Sequence, residues 1–214
     1  MSLDINCDLG EGESLEVTEA LMRHITSANI GSNNTQECIA LAKRYEVHIG
    51  AHPRHPIGRG EVQVSPDEFE MLLLKQVREF GELHHIKLHG ALYHVTDQSP
   101  GLADKYVTIV EREWPGVIIY ARCGGLVERL AKDHVPMWGE AFADRRYRAD
   151  GTLVPRSEPD ALITNVQAAV THAEELVRRL KPQTLCVHSD TPNAPEIAEA
   201  LKRMVQGSRP SSRG

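Results

Sequence analysis

Short apolar segments recur along the chain, and a polar loop and a helix-like segment follow most of them. Most are rich in β-branched or small apolar side chains, which favours strands buried on both faces of a sheet. The predicted strands are 3–7, 26–30, 47–51, 85–89, 117–121, 137–143 and 184–188. The predicted helices are 15–24, 35–46, 65–83, 101–113, 124–133, 160–180 and 195–205. This alternation predicts an α/β fold with a parallel sheet, closed or open.

Length and charge narrow the classes of protein to consider. The chain has 214 residues and a formal net charge of −6, with acidic and basic residues interspersed. Nucleic-acid-binding proteins usually carry a basic patch, so that class is disfavoured. The sequence has no run of about 18 apolar residues that would span a membrane, and its first residues do not resemble a secretory signal. We expect one domain over 1–206, a disordered tail over 207–214 and a cytoplasmic location.

Polar residues stand where several predicted strands end. Asp8 and His52 directly follow their strands, and His89 and His188 are the last residues of theirs. In a parallel barrel the carboxyl ends of several strands open into one mouth, whereas an open sheet binds ligands at a switch point in strand order. We therefore predict that these four side chains converge. The alternative is that Asp8 caps the next helix and the histidines are simply exposed.

Further charged residues flank these positions. Lys87 lies on the same side of its strand as His89, and a lysine inside a mouth needs an anionic partner, such as Asp8 or a ligand carboxylate. A long polar loop after the sixth predicted strand contains more candidates, and long ordered loops tend to carry function. These candidates are Glu140, Asp144, Arg145 and Arg156, with Asp190 after the last strand. Arginine can bind a carboxylate or phosphate with two parallel hydrogen bonds.

Several segments together resemble one known family, the A subunits of 5-oxoprolinase, also called LamB/YcsF-type proteins. The matching segments are INCDLGEG, TSANI, IGAHP, LHGALY, EAFADRRYRADGTLVPRS, ALI and TLCVHSDTP, spread over residues 4–192. The resemblance implies a distorted, seven-stranded parallel (β/α) barrel of TIM-like form, similar to polysaccharide deacetylases. It also implies ATP-dependent hydrolysis of the 5-oxoproline lactam to glutamate, together with separate B and C subunits and with magnesium accompanying ATP. Self-association into a homo-oligomer is left open.

The resemblance also suggests residue roles. The residues implied as catalytic are Asp8, His89, Asp144 and His188. Those implied as substrate-binding are Asn6, Glu11, His52, Lys87, Glu140, Arg145, Arg156 and Asp190. The sequence departs from the family pattern in two loops, 31–35 and 54–62, and the first of these lacks a histidine and an aspartate that the family usually has.

Two other functions remain open at this point. By analogy of fold, Asp8, His52 and His89 could hold a divalent metal ion that activates water, as in a deacetylase or amidohydrolase. Alternatively, because of its altered loops, the chain could be a catalytically impaired member of the complex that regulates or scaffolds its partners. No P-loop sequence, G-x-x-x-x-G-K-[ST], is present, so the sequence does not indicate where ATP binds.

Overall fold

A closed barrel of parallel strands forms the centre of the protein. The structure, a computed structural model, describes residues 3–57 and 62–207. The strands of the barrel are β1 (Asp4–Leu9), β2 (Ser27–Ile30), β3 (His48–Ala51), β4 (His85–Ile86), β5 (Ile118–Arg122), β6 (Met137–Phe142) and β7 (Thr184–His188). Each pairs with the next in chain order, and β7 pairs with β1. The predicted seven-stranded parallel barrel is confirmed, in its closed form.

Helices connect the strands and cover the outside of the barrel. In the described residues they are α1 (Leu15–Met22), α2 (Thr35–Arg44), α3 (Pro66–Val77), α4 (Gly90–Gln98), α5 (Pro100–Glu113), α6 (Leu126–Ala131), α7 (Val166–Leu180) and α8 (Ala194–Gly207). Local sequence sets several of the starts. Ser65 accepts a hydrogen bond from the backbone N–H of Glu68 (3.3 Å), with proline at the first position of α3, a favourable way to begin a helix. Within 3–57 and 62–207, none of these helices is both long and apolar enough to cross a bilayer.

The apolar core lies between the barrel and its helices. Along β1, Ile5, Cys7 and Leu9 belong to one of the two apolar clusters that pack against the helices. The alternating residues Asp4 and Asn6 instead meet polar side chains of other strands, as does Asp8. The strands are therefore buried on both faces, as predicted, but their inner face is polar where apolar layers usually fill such a barrel.

Several predicted boundaries were wrong. Strand β4 spans only Ile86 and the residue before it, not 85–89. The backbone nevertheless stays extended as far as His89, because the N–H groups of Lys87 and His89 bond to the carbonyls of Ala51 and Pro53 (3.0 and 2.9 Å). His89 is thus the N-cap of α4, a helix missing from the sequence prediction. Helix α7 begins at residue 166 rather than 160, and residue 207 ends α8 rather than beginning a tail. The rest of the predicted tail, and positions 58–61 of the second divergent loop, lie outside the described residues.

Candidate functional site

Acidic and imidazole side chains from distant parts of the chain meet at the carboxyl ends of the strands. Asp8 Oδ2 lies 3.4 Å from His52 Nε2 and 3.7 Å from His188 Nε2. Glu11 Oε1 lies 3.3 Å from His52 Nε2 and 2.6 Å from His89 Nε2. The geometric prediction, that these residues share one mouth, matches this arrangement. Their chemical roles stay predictions.

Lys87 lies inside the barrel beneath this cluster. Its Nζ atom is 2.8 Å from Asp8 Oδ1, 2.8 Å from Glu140 Oε1 and 3.0 Å from Cys186 Sγ. Burial favours the neutral amine, but the nearby acidic groups, chiefly Asp8, outweigh it and hold the pKa of Lys87 well above its usual value. Lys87 is therefore a buried ammonium ion. The predicted partner, Asp8, is one of two carboxylates beside it.

A hydrogen bond at Nδ1 fixes the orientation of the His52 ring. Its Nδ1 lies 2.8 Å from the backbone carbonyl of Lys87, an acceptor, so Nδ1 carries a proton and donates it. Its Nε2 then faces Asp8 and Glu11. Burial alone would lower the pKa of His52, but these two carboxylates raise it to about 9. These two carboxylates therefore favour the imidazolium form of His52 at neutral pH.

His188 is fixed in the same way, but by a carboxylate. Its Nδ1 lies 2.9 Å from Asp144 Oδ1, and Asp144 Oδ2 accepts from Thr191 Oγ1 (2.6 Å) and from the backbone N–H of His188 (2.9 Å). Burial favours the acid, but His188 and these hydrogen bonds hold the pKa of Asp144 below its usual value. A carboxylate that orients an imidazole, whose other nitrogen faces the site, is the arrangement of a general base.

The predicted arginines belong to the loop at the rim. Arg145 donates to the carbonyl of Val154 (2.7 Å) and is buried. Arg156 Nη1 contacts both oxygens of Asp190 (2.8 and 2.7 Å). Burial lowers the pKa of Arg156, and Asp190 together with the more distant Asp144 and Asp8 raises it above its usual value. Arg156 therefore lies within the electrostatic field of the mouth, although its direct partner is on the rim.

Asn6, also predicted, lies deeper in the barrel, beside residues that the sequence prediction missed. Its amide donates to Thr184 Oγ1 (2.6 Å) and accepts from Asn29 Nδ2 (2.7 Å). Tyr93 Oη lies 3.1 Å from Glu140 Oε2, and His85 contacts Asn29 Oδ1 (2.7 Å). Residues two apart in a strand lie on the same face of the sheet. This spacing could have indicated His85, two residues before Lys87, and Asn29, two residues after the buried Ser27.

Among the described residues, two groups of side chains could each hold a metal ion. Glu11, His52 and His89 offer ligand atoms within 4.8 Å of one another, and Asp8, Cys186 and His188 do the same. The first group suits a divalent ion of the zinc class in ligand type, because metal-binding histidines usually donate their second ring N–H to a backbone carbonyl or carboxylate, as His52 does. The structure groups Glu11, rather than the predicted Asp8, with His52 and His89.

Comparisons with known proteins identify the family of the chain. Residues 3–211 match the model of the LamB/YcsF family. The chain belongs to the LamB/YcsF family. Similar curated proteins include the 5-oxoprolinase A subunit of Bordetella pertussis, 32% identical over 240 residues, covering 96% of this chain and 95% of that protein. The protein of the same name from Bacillus subtilis is 31% identical over 239 residues, covering 95% and 93%.

A solved structure of similar sequence supports the fold of this LamB/YcsF protein. The lactam utilization protein of Thermus thermophilus is 29% identical, with a TM-score of 0.83 and coverage of 97% of both chains. The family resemblance seen in the sequence is therefore confirmed. The names of these relatives connect them with lactams and, for the two A subunits, with a multi-subunit enzyme.

Proposed function

We propose that this chain is the A subunit of a 5-oxoprolinase, which hydrolyses the 5-oxoproline lactam to glutamate together with separate B and C subunits and with ATP. The names of its LamB/YcsF relatives support the substrate class and the multi-subunit enzyme. The observation that carries the proposal is the arrangement at the mouth. Asp144 contacts Nδ1 of His188, Nε2 of His188 faces Asp8, and the buried ammonium of Lys87 lies beside Asp8. Such a site can move a proton and stabilise negative charge.

The lactam amide resists attack by water, so the reaction needs a base, a cation and an activated carbonyl. Asp144 holds Nδ1 of His188, which leaves Nε2 to accept a proton from water. Lys87 is buried between two protein carboxylates at 2.8 Å, whereas Arg156 reaches the rim and contacts Asp190 through Nη1. We therefore assign the substrate carboxylate to Arg156. The guanidinium is partly exposed, and its partner Asp190 is more exposed still. An arginine fork suits a carboxylate of this kind.

ATP can supply the activation by phosphorylating the lactam oxygen, which makes the ring carbon easier to hydrolyse. The sequence lacks a P-loop, so we assign ATP and its magnesium ion to the assembled enzyme and not to named residues of this chain. The buried cations beside the mouth would then stabilise the negative charge that develops during ring opening.

Reconstitution with purified B and C subunits tests the proposal. We expect ATP hydrolysis that depends on 5-oxoproline, and conversion of 5-oxoproline to glutamate. Asp8→Ala should abolish both, whereas His134→Ala should not, because His134 is an exposed residue outside the site. If Asp8→Ala leaves turnover unchanged, the catalytic assignment is wrong and the scaffold function is favoured.

A metal-dependent amidohydrolase is the second candidate, and the grouping of Glu11, His52 and His89 favours it. When bound, a divalent ion at these residues would polarise a carbonyl or lower the pKa of a bound water molecule. The two candidates differ in their requirements. Turnover without ATP that a chelator removes and added zinc restores would support the metal-dependent enzyme and contradict the ATP-dependent one.

A further inference from the structure

A chain of hydrogen bonds runs through the barrel interior to Asp8. His84 Nδ1 lies 3.1 Å from His85 Nδ1. His85 Nε2 lies 2.7 Å from Asn29 Oδ1, and Asn29 Nδ2 lies 2.7 Å from Asp8 Oδ1. His85 and Asn29 are fully buried. These hydrogen bonds therefore connect the partly buried His84, just before β4, with the mouth of the site.

The acceptor at one end of the chain fixes the direction of every bond. The ionised carboxylate of Asp8 can only accept, so Asn29 must present its amide nitrogen to it. The same nitrogen also donates to Asn6 Oδ1 (2.7 Å). Asn29 Oδ1 then accepts from His85, which must carry its proton on Nε2. Burial lowers the pKa of His85 well below its usual value, so the ring carries this proton alone and its Nδ1 accepts the Nδ1–H of His84.

The position of His85 is equally restricted. A Cβ atom built on Gly50 would lie 2.1 Å from His85 Nε2, so the ring occupies the space that this glycine leaves open in β3. On its other side the ring stacks on Tyr120, with centroids 4.0 Å apart and planes 8° apart. Because the ring can neither tilt nor shift freely, its Nε2–H is aimed at Asn29.

This series of hydrogen bonds determines which oxygen of Asp8 faces the mouth. Asp8 Oδ1 accepts from Asn29 and from Lys87 (2.7 and 2.8 Å). Oδ2 is thereby turned toward His52 and His188. We propose that His85 and Asn29 are positioning residues, which hold the Asp8 carboxylate in the orientation that the reaction needs. The inference rests on the proposed function, since it gives Asp8 a part in turnover.

The tautomer of His85 tests this series of hydrogen bonds without any activity assay. In protein with 15N-labelled histidine, NMR distinguishes a protonated ring nitrogen from a bare one. We expect His85 to be neutral at pH 7, with the proton on Nε2, and its signals to be assigned by their loss in His85→Gln. A proton on Nδ1, or an imidazolium, would overturn the inference.

Paired variants test the positioning. His85→Phe keeps a ring that can stack on Tyr120 but removes the N–H, whereas His85→Gln supplies an amide N–H near the place of Nε2. We expect His85→Phe to lower kcat about 10- to 100-fold with little change in KM, which is the effect of losing one hydrogen bond in a charged network. His85→Gln should recover most of the loss. Tyr106→Phe, which removes a buried hydroxyl bonded to the carbonyl of Ile86 (3.2 Å), is the matched control and should keep wild-type kcat.

The outcomes separate this inference from the proposed function. Wild-type kcat in His85→Phe, or no recovery in His85→Gln, would contradict the positioning role. If the wild-type protein does not turn over 5-oxoproline with its partners, the proposed function fails, and the side-chain amide signals of Asn29 then provide the test. They should shift and exchange faster with solvent in His85→Phe but not in His85→Gln, and unchanged signals would overturn the inference. If His85→Phe does not fold, the tautomer of the wild-type protein decides.

Discussion

The ammonium nitrogen of Lys87 lies 2.8 Å from the carboxylate oxygen Oε1 of Glu140, with both side chains buried inside the barrel. Asp8 Oδ1 lies at the same distance from this nitrogen. One cation thus stands between two carboxylates where water is largely excluded. Removing one member of such a group leaves charge buried without compensation, which is far more costly than losing a surface ion pair.

Lys87→Met should therefore lower the free energy of unfolding by about 3–5 kcal/mol. Urea denaturation at pH 3 and pH 6 measures this. Burial raises the pKa of Asp8, but the charges of His52 and Lys87 outweigh burial and lower it well below its usual value. A lowered carboxyl pKa stabilises the folded state above the unfolded pKa, and that stability is lost as the pH falls through the folded pKa. The variant should thus lose more stability relative to wild type at pH 6 than at pH 3.

The control for this prediction is Lys105→Met, because Lys105 pairs with Glu70 at a partly exposed position. It should cost no more than about 1 kcal/mol. An equal loss in the two variants, or a Lys87→Met loss that does not change with pH, would contradict a buried charge cluster.

Asp144→Asn should impair turnover more than stability. The amide could donate to His188 Nδ1 and so favour the wrong ring tautomer, with the proton placed on Nε2 where the base is needed. We expect kcat to fall at least about 100-fold, the usual contribution of a positioned general base. Steady-state kinetics with the B and C subunits provides the measurement.

Thr191→Val is the milder comparison for Asp144. It removes the 2.6 Å hydrogen bond to Asp144 Oδ2 but leaves the bond between Asp144 and His188 intact. Its loss in kcat should be less than a tenth of that in Asp144→Asn. A larger effect from Thr191 would mean that the carboxylate is needed mainly to hold the loop together.

The sequence was sufficient to predict the mouth but not the interior of the barrel. Asp8, His52 and His188 could be placed together because parallel strands in a closed barrel present their carboxyl ends at one side. Asn29 and His85 lie on the same inner faces, yet their contacts join β2, β4 and β1 across the barrel. Such pairings depend on strand register and closure, which spacing within one strand does not reveal.

Local sequence also left two other features unpredicted. Strand β4 has only two residues, and the extended chain after Ile86 is held by bonds to Ala51 at the end of β3 and to Pro53 beyond it, which are tertiary contacts. Helix α4 was missed because Gly90 opens it directly after an extended His89, with no capping side-chain hydrogen bond to mark the start. Capping patterns predict helix starts only where the cap is a local side chain, as at Ser65.

His89→Ala should abolish turnover while leaving the fold intact. His89 precedes α4 but makes no side-chain capping bond, and its Nε2 faces Glu11 at 2.6 Å. Losing the imidazole therefore removes a group of the mouth without removing a cap. We expect no measurable 5-oxoproline turnover and a Tm within about 2–4 °C of wild type, which corresponds to roughly 1 kcal/mol in a domain of this size. A collapse of Tm would make His89 a structural residue, and His134→Ala provides the comparison at an exposed position.

Gly50→Ala in β3 should destabilise the protein, because the added methyl group would lie 2.1 Å from Nε2 of His85 in β4. Either the imidazole or the strand must move, and overpacking of this kind costs about 1–3 kcal/mol. Gly101→Ala is the opposite case, since a Cβ on Gly101 in α5 would meet nothing within 4 Å, and alanine favours a helix by up to about 1 kcal/mol. Urea denaturation should therefore show changes of opposite sign. Equal stability of Gly50→Ala and wild type would show that His85 can leave the space beside Gly50 without cost, which the tight packing of its ring against Tyr120 argues against.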